Sequence, residues 1–450
     1  MAEFHIRKGK NIKLKGAAAR ELRAADAPSQ IAVMPDDFKG LKLKAVVKSG
    51  DEVKIGTAVL ADKYHPDVRV VSPVSGKITA VNRGDKRALL DVVITPDQKN
   101  SKESFPVFSE NQIKNLSAED IKKHLMHGGL WTVIRQRPFT KIANPQAAPK
   151  AVFIHAMSTE PLAADVDFVL QGREKEFQAG LDALSQLSPK TYLCISARAV
   201  SKALTQAKNV EVHRFSGAHP SGNVGTHIHC VNPINKGEAV WFVETQDVVR
   251  IGKLFLEGVY SGERIVAVTG EGARDRAYFK TMVGAPVKGL LKGSDLKGRR
   301  VISGSVMAGR AVGEGGHLRW FDSQMTVIPE GGKRELLGWL WPGFNKYSLS
   351  RTYASSLIGL TNQEVSLNTD RNGSPRAIVL NHMYDDLITL DVPTYFLIKA
   401  ISIGNIEECE RLGIYECDEE DFALCSFACP SKTDVGGIIR DGLDMIEREM

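Results

Sequence analysis

Four of the six cysteines lie between residues 409 and 429, where their spacing could support iron–sulfur chemistry. Cys425, Cys429 and Pro430 form the second half of the C-x2-C-x2-C-x3-C-P pattern, whose thiolates ligate [4Fe–4S] clusters. The first two thiolates would stand at Glu419 and Phe422. Phenylalanine cannot ligate iron, and a carboxylate is a hard ligand in a soft site. We therefore predict a vestigial cluster site that holds no metal.

Cys409 and Cys417 are the remaining cysteines of this region. They could fold back to complete a zinc or iron site, but their spacing matches no common ligand motif. We expect all four cysteines to pack as small apolar residues.

Histidines crowd the stretch 213-HRFSGAHPSGNVGTHIHC-230. A metal site is one alternative for His227, His229 and Cys230, but positions i and i+2 share a face only on a strand, and the stretch contains no carboxylate. We favour a binding loop that follows the third strand of a sheet. No Ser/His/Asp or paired-carboxylate constellation can be assigned from spacing alone.

The elements that position these residues change type along the chain. Between about 30 and 100, short alternating strands with Gly and Pro turns predict a barrel-sandwich hybrid unit, the fold of lipoyl carriers. Lys63 lies near the carrier-lysine position, but its hairpin contains Pro66 and is longer than in those carriers. We expect Lys63 to be a surface lysine.

The stretch from 111 to 255 predicts a Rossmann-like α/β domain with a parallel sheet. Ser117 begins a helix that ends at Gly128, and apolar runs at 151–156, 191–196 and 210–215 alternate with helical patterns around 174–187 and 197–207. No G-x-G-x-x-G follows the first of these strands, which weakens a nucleotide-binding interpretation.

Residues 238 to 330 return to β-rich patterning and predict a β-grasp-like (SLBB) module. An aromatic-dense stretch begins at 331, and the pattern from 380 to 450 is mainly helical. We therefore predict a multidomain protein of mixed α/β and α+β class. Its expected domains are residues 1–110, 111–255, 256–330 and 331–450, the last with the degenerate ferredoxin-type motif.

Composition indicates an ordinary soluble chain of 450 residues with a formal charge of +6. The N-terminus has no apolar signal region, and no run of eighteen apolar residues occurs, so we expect a protein that stays in the cytoplasm. The last 45 residues are acidic and the remainder is basic. Nucleic-acid binding is an alternative that this asymmetry raises, but the basic residues are scattered and not interleaved with aromatics.

Three stretches together resemble the NqrA family, the A subunits of sodium-translocating NADH:quinone oxidoreductases. They are 335-ELLGWLWPGFNKYSLSRT-352, 217-GAHPSGNVGTHIH-229 and 418-DEEDFALCSFACPSK-432. That family is itself similar to the C subunit of the Rnf complex and to the flavoprotein subunit of respiratory complex I. In those relatives a glycine-rich loop closes on the flavin phosphate, because glycine permits a close backbone approach.

The stretch collinear with that loop is 129-GLWTVIRQRPFT-140. It keeps Gly129 and Thr140, but the four intervening glycines are replaced, and side chains would fill the phosphate volume. Arg135 and Arg137 could bind an anion by charge, although structural pairing or partner contact is the favoured interpretation. The replacements are Thr132, Ile134, Arg135 and Arg137.

The resemblance implies a peripheral subunit on the cytoplasmic side of the inner membrane, without its own redox cofactor and without nucleic acid. Partner subunits B to F would hold FMN, FAD, riboflavin and iron–sulfur centres, and the complex would pass electrons from NADH to ubiquinone or menaquinone while exporting sodium. A stand-alone flavoprotein is the alternative. The candidate quinone or partner contacts are Trp131, Arg135, Arg137, Phe139, His219, Pro220, His227 and His229.

Overall fold

The computed structural model describes residues 2–332, 336–338, 340–359 and 363–449. Glu335 and Trp339, which belong to the motif at 335–352, lie outside these described residues.

The strands and helices follow one another along the whole chain. The strands are β1 Glu3–Ile6, β2 Ala19–Ala24, β3 Ile31–Val33, β4 Leu43–Ala45, β5 Glu52–Val53, β6 Ala58–Asp62, β7 Arg69–Val71, β8 Gly76–Arg83, β9 Leu89–Pro96, β10 Arg135–Arg137, β11 Lys141–Ile142, β12 Val152–Ala156, β13 Thr191–Ser196, β14 Glu211–Gly217, β15 Val240–Glu244, β16 Glu263–Thr269, β17 Ala277–Met282, β18 Arg299–Ser303, β19 Arg310–Ala311 and β20 Gln324–Pro329. The helices are α1 Glu110–Ile113, α2 Ala118–His127, α3 Val166–Val169, α4 Glu174–Leu184, α5 Lys202–Thr205, α6 Val224–Val231, α7 Thr245–Glu257, α8 Val287–Leu290, α9 Met383–Leu387, α10 Thr394–Ser402, α11 Ile406–Arg411, α12 Ala423–Ala428 and α13 Val435–Glu449.

Two small antiparallel sheets form the N-terminal unit, with strand orders β3-β9-β8-β5 and β4-β6-β7. Their inward residues, among them Val33, Val59, Val70 and Val92, are fully buried in one apolar core. Lys63 lies in the connection between β6 and β7 and is exposed, which agrees with the expected surface lysine.

A seven-stranded sheet of order β1-β14-β13-β12-β15-β10-β11 forms the second unit. Strands β14, β13, β12 and β15 run parallel, whereas β10 pairs antiparallel with β15. Alternate residues of β12 face opposite sides, so that Ile154 joins the core beneath α4 and α7 while Phe153 joins the core with α6. The β-rich patterning expected from residue 238 thus begins with β15, which belongs to this sheet and not to the unit that follows it.

Ser117 begins helix α2 as expected, since its hydroxyl accepts a hydrogen bond from the Asp120 backbone N–H, and the helix ends before Gly128. The helix expected over 174–187 is α4, but 197–207 contains only the short α5. These are local differences that leave the order of elements unchanged.

The first two strands leave the N-terminal unit. Strand β1 pairs parallel with β14, and β2 pairs parallel with β17 of a third, six-stranded sheet of order β19-β18-β20-β16-β17-β2. The first 24 residues thus complete the second and third sheets in space. The predicted domain boundary at residue 110 stays a prediction.

Helices α9 to α13 pack around a separate core at the C-terminal end, as the helical pattern predicts. Phe422 is fully buried in this core, together with all four clustered cysteines, Cys409, Cys417, Cys425 and Cys429. The expected apolar packing does not describe Cys429, whose Sγ accepts a hydrogen bond from the Thr433 N–H over 3.3 Å and lies 3.0 Å from the Tyr384 hydroxyl. No helix within the described parts of the chain is both long enough and apolar enough to cross a bilayer.

Candidate functional site

A cavity of about 620 Å³ opens at the carboxyl ends of the adjacent strands β12 and β15. From β12 the chain continues to β13 and β14, which lie on one side of β12 in the sheet. It then returns through α6 to β15 on the other side of β12, so the strand order reverses between β12 and β15. Crevices at such a reversal are the usual ligand sites of open parallel sheets. The third sheet and residues 418–437 supply the remaining walls.

His155, at the end of β12, forms an ion pair with Glu244, at the end of β15. The His155 Nδ1 lies 2.8 Å from Glu244 Oε2, and its Nε2 lies 2.7 Å from the Gly222 carbonyl oxygen. Burial lowers the pKa of His155, but the Glu244 carboxylate outweighs burial and raises the pKa to about 9. Both ring nitrogens then carry protons and donate.

Arg135 donates to the other oxygen of Glu244 over 2.7 Å. Burial raises the pKa of Glu244, but the charges of His155 and Arg135 outweigh burial and bring the pKa to about 2. The Glu244 carboxylate therefore binds both His155 and Arg135. His155 and Glu244 both stay charged at neutral pH.

Glu160 is one of the acids of the cavity whose pKa is raised. The Ser305 hydroxyl donates to Glu160 Oε1 over 2.7 Å. Burial raises the pKa of Glu160 to about 7, and the nearby carboxylates of Glu420 and Asp322 act in the same direction. Near neutral pH a large fraction of this carboxyl group keeps its proton.

Apolar side chains share the cavity wall with these charges. Met157, Met307 and Phe321 line it. The Arg135 guanidinium lies 5.0 Å from the Phe321 ring centroid and 4.4 Å from that of Phe242, within cation–π range. The cavity thus combines an aromatic platform, flexible thioethers and a positioned guanidinium.

Arg137 lies behind this wall and is fully buried. Its guanidinium pairs with Glu420 at 2.5 Å, with Asp421 at 3.1 Å and with Asp418 at 3.5 Å. Burial raises the pKa of Asp421 to about 7, even though Arg137 pulls it down, because Glu420 and Asp418 compete for the same cation. The anions that Arg137 binds are the chain's own carboxylates, in agreement with structural pairing.

Arg440, on α13, is the second cation of this acidic segment. It pairs with Asp418 and lies 3.3 Å from Glu419, and it donates to the Phe139 carbonyl oxygen over 3.1 Å. Glu419 therefore has a structural partner at the position where the cluster motif has a cysteine.

The candidate contacts predicted between residues 129 and 139 lie in different parts of the structure. Trp131 is fully buried, its indole N–H donates to the Ala143 carbonyl oxygen over 2.8 Å, and its ring packs edge-on against Trp241. Phe139 is buried in the C-terminal core. Of the four residues predicted in this stretch, Arg135 is the one that lines the cavity.

The histidine stretch is not a continuous loop, because α6 begins at Val224. Residues i and i+2 of a helix lie on different faces, so His227 is fully buried, 4.3 Å from the Phe215 ring, while His229 pairs with Glu416 at 2.6 Å. The expectation of a loop was wrong for residues 224–230. Apolar burial of Val224 and Ile228 beneath the sheet overrides a weak local helix signal.

His219 and Pro220 precede this helix in a buried turn. The amide N–H of His219 donates to Asn11 Oδ1 over 2.9 Å, and burial lowers the pKa of the His219 ring to about 4. His219 is therefore neutral at physiological pH. It does not line the cavity, and it ties the N-terminal segment to the sheet edge.

The two predicted stretches share a partner behind the cavity. The Asn223 side chain donates to the Glu420 carbonyl oxygen over 3.2 Å, and the Glu420 carboxylate pairs with Arg137. His155 and Glu160 were not predicted as site residues because neither belongs to a motif. Their position directly after the strand at 151–156 was the available signal.

The residues present do not fit a flavin phosphate. The collinear stretch forms a 3-10 turn at Trp131–Val133 and then strand β10, and both Thr132 and Ile134 are fully buried. The 129–140 stretch therefore offers no glycine cradle to the cavity, whose polar wall contains carboxylates that repel phosphate. Across the described ranges, no three His, Cys, Asp or Glu side chains are grouped to hold a metal ion.

Comparison with known proteins assigns the chain to a family. Residues 4–97 match the NqrA N-terminal barrel-sandwich hybrid domain, residues 116–260 the NqrA second alpha/beta domain and residues 265–314 the NQRA C-terminal domain. These matches confirm the barrel-sandwich prediction.

Relatives named as A subunits of the Na(+)-translocating NADH-quinone reductase match along nearly the full length. The protein of Yersinia pseudotuberculosis serotype O:1b (strain IP 31758) is 38% identical over 449 residues, and those of Haemophilus influenzae (strain PittGG) and Pasteurella multocida (strain Pm70) are 37% identical over 448. Each alignment covers 99% of both chains. The chain belongs to the family of Na(+)-translocating NADH-quinone reductase A subunits.

Proposed function

We propose that this chain works as the A subunit of a Na(+)-translocating NADH-quinone reductase. The near-complete alignment with proteins of that name supports this role. The chain would bind peripherally on the cytoplasmic side, against partner subunits B to F. FMN, FAD, riboflavin and the iron–sulfur centres would reside in those partners, and ubiquinone or menaquinone would accept the electrons.

Within that complex, we propose that the cavity at the ends of β12 and β15 contributes to quinone binding. A quinone ring needs an apolar, aromatic-lined slot with a few donors to its carbonyl oxygens. Phe321, Met157 and Met307 supply the slot. Arg135 supports the proposal most directly, because its guanidinium lines the cavity, Glu244 holds it in place, and this pairing uses only one of its five N–H donors.

The remaining predicted contacts would act indirectly. Trp131, Phe139, His219, Pro220 and His227 would hold the sheet edge in place, and His229 with Glu416 would be a candidate partner contact. We also propose that residues 111–255 form a Rossmann-like domain and residues 256–330 a β-grasp-like one. The motif at Cys425 and Cys429 would be a degenerate ferredoxin motif. The chain would bind and position the quinone without transferring electrons itself.

Filling the cavity tests this role. In the purified complex, Met307→Trp should raise the KM for a short-chain quinone about tenfold or more, because the indole occupies the ring's space. NADH oxidation by an artificial acceptor should not change. Met307→Leu keeps the volume and serves as the matched control. Equal quinone kinetics in parent, Met307→Trp and Met307→Leu complexes would count against a quinone site here.

The stand-alone flavoprotein alternative makes the opposite prediction for the isolated chain. A flavoprotein would be yellow and would bind FMN tightly, whereas we expect a colourless chain without useful affinity for FMN or NADH. Calorimetric titration and an absorption spectrum distinguish the two. A micromolar or tighter FMN site, or iron lost on Cys425→Ser/Cys429→Ser substitution, would favour the alternative.

A further inference from the structure

The aromatic-dense stretch presents an apolar surface that no part of the described chain covers. We call it the 336–358 surface. Seven large apolar side chains on it are more than half exposed, and Leu336 reaches 88%, Leu357 85% and Trp341 65%. Exposed apolar side chains grouped within one segment often mark an interaction site. Its members are Leu336, Leu337, Leu340, Trp341, Phe344, Leu357 and Ile358.

Backbone and side-chain hydrogen bonds bring the two halves of this surface together. The Ala354 N–H donates to the Pro342 carbonyl oxygen over 2.9 Å, and the Ser355 hydroxyl donates to the Lys346 carbonyl oxygen over 2.5 Å. Trp341 precedes one of these paired positions, and Leu357 follows the other by two residues. The apolar side chains on both halves therefore project from one folded segment.

The inner side of the segment is attached to the C-terminal helical unit. The Tyr347 ring lies 5.8 Å from the Phe427 ring, and Leu349 packs against the same core as the helices. Ser348 and Ser355 are buried between the halves. The segment is thus anchored from within, and its exposed leucines and Trp341 are free to contact something outside the chain.

The charges of the segment indicate which surface it contacts. No Asp or Glu occurs from residue 336 to residue 363, whereas Lys346 and Arg351 are both present. Anionic lipid headgroups attract an exposed cation such as Arg351. Tryptophan with leucine is also typical of the boundary between headgroups and acyl chains. A protein interface with a mixed polar rim would not require the absence of acids over this length.

We propose that the 336–358 surface binds the interfacial layer of a bilayer that contains anionic lipids. Trp341 and the leucines would enter the headgroup–acyl boundary, with Arg351 among the headgroup phosphates. This contact would hold the protein on the membrane face without a spanning helix. It does not depend on the quinone proposal, since the surface lies outside the cavity wall.

Co-sedimentation of the full chain with lipid vesicles tests the proposal. We expect binding to phosphatidylcholine vesicles that contain phosphatidylglycerol, weaker binding without phosphatidylglycerol, and a blue shift of tryptophan fluorescence on binding. Trp341→Ser/Leu357→Ser should reduce the partition coefficient at least about tenfold. The matched control is Val200→Ser/Ile403→Ser, which removes two similarly exposed apolar side chains elsewhere and should bind like the parent.

Arg351→Glu separates charge from apolar burial. It should weaken binding to vesicles with phosphatidylglycerol and leave binding to phosphatidylcholine alone unchanged. The proposal is overturned if the parent chain does not sediment with either vesicle, or if Trp341→Ser/Leu357→Ser binds like its control. Loss of co-purification with the rest of the complex in that variant, without vesicle binding by the parent, would assign the surface to a protein partner instead.

Discussion

Arg137 shares one guanidinium among Asp418, Glu420 and Asp421, which are about 280 residues away in sequence. The charge distribution along the sequence showed a basic body and an acidic tail. It could not show which cation meets which anion, because such pairs form only when the α/β sheet and the C-terminal helices pack. Structural pairing or partner contact was the favoured interpretation of Arg137, and the structure shows pairing with three carboxylates of the same chain.

Breaking this cluster should destabilise the protein strongly. We expect Arg137→Ala to lower the free energy of unfolding by about 3–5 kcal/mol, because it leaves buried carboxylates without their cation. Arg411→Ala removes an exposed pair with Glu408 and should leave the free energy of unfolding nearly unchanged. Urea unfolding at neutral pH measures both. Similar values for the two variants would show that burial does not set the strength of the Arg137 cluster.

Glu160 should make stability depend on pH. Its pKa is about 7 in the folded protein and near its usual 4.5 in the unfolded chain. The folded state then binds more protons between these values, so the Glu160 contribution falls as pH rises through that window. Glu160→Gln should be more stable than the parent by roughly 3 kcal/mol near pH 8 and about equal to it near pH 4.5. A difference that is the same at both pH values would contradict the raised pKa.

At the scale of elements, the patterns with strong periodicity were predictable. The strands at 151–156 and 191–196 and the helix at 174–187 agree with the structure because apolar spacing reflects burial directly. Helix α6 was missed, since Gly225 and the histidines are weak helix formers and only packing beneath the sheet stabilises it. The close contact between helices α4 and α7 could likewise not be predicted from the sequence.

The close contact between α4 and α7 requires glycine, which has no Cβ, at Gly252. A Cβ on Gly252 would lie 1.7 Å from the Glu176 carbonyl oxygen, so the two helices would have to separate. We expect Gly252→Ala to lower the free energy of unfolding by about 2–3 kcal/mol. Gly289→Ala, in α8, meets no atom within 4 Å and should be neutral or stabilising by up to about 1 kcal/mol. Thermal unfolding compares the two, and a neutral Gly252→Ala would disprove the close contact.

At the scale of the whole molecule, the sequence predicted four kinds of unit but not how they share strands and walls. Strands β1 and β2 complete distant sheets, and one apolar core runs from the N-terminal unit to α4 and α7. The cavity is likewise assembled from the second sheet, the third sheet and residues 418–437. Such long-range assembly leaves no local signal, so single residues such as Glu160 could not be placed in a site beforehand.

Photoaffinity labelling of the assembled reductase tests the central claim, that this chain binds quinone in the cavity without a redox group of its own. The probe is a quinone with a photoreactive group on its ring, and labelled peptides are identified by mass spectrometry. We expect label on the peptides that contain Met157, Met307 or Phe321, suppressed by excess quinone and lost in the Met307→Trp complex. Label confined to the partner chains, with quinone turnover unchanged in Met307→Trp, would contradict the claim.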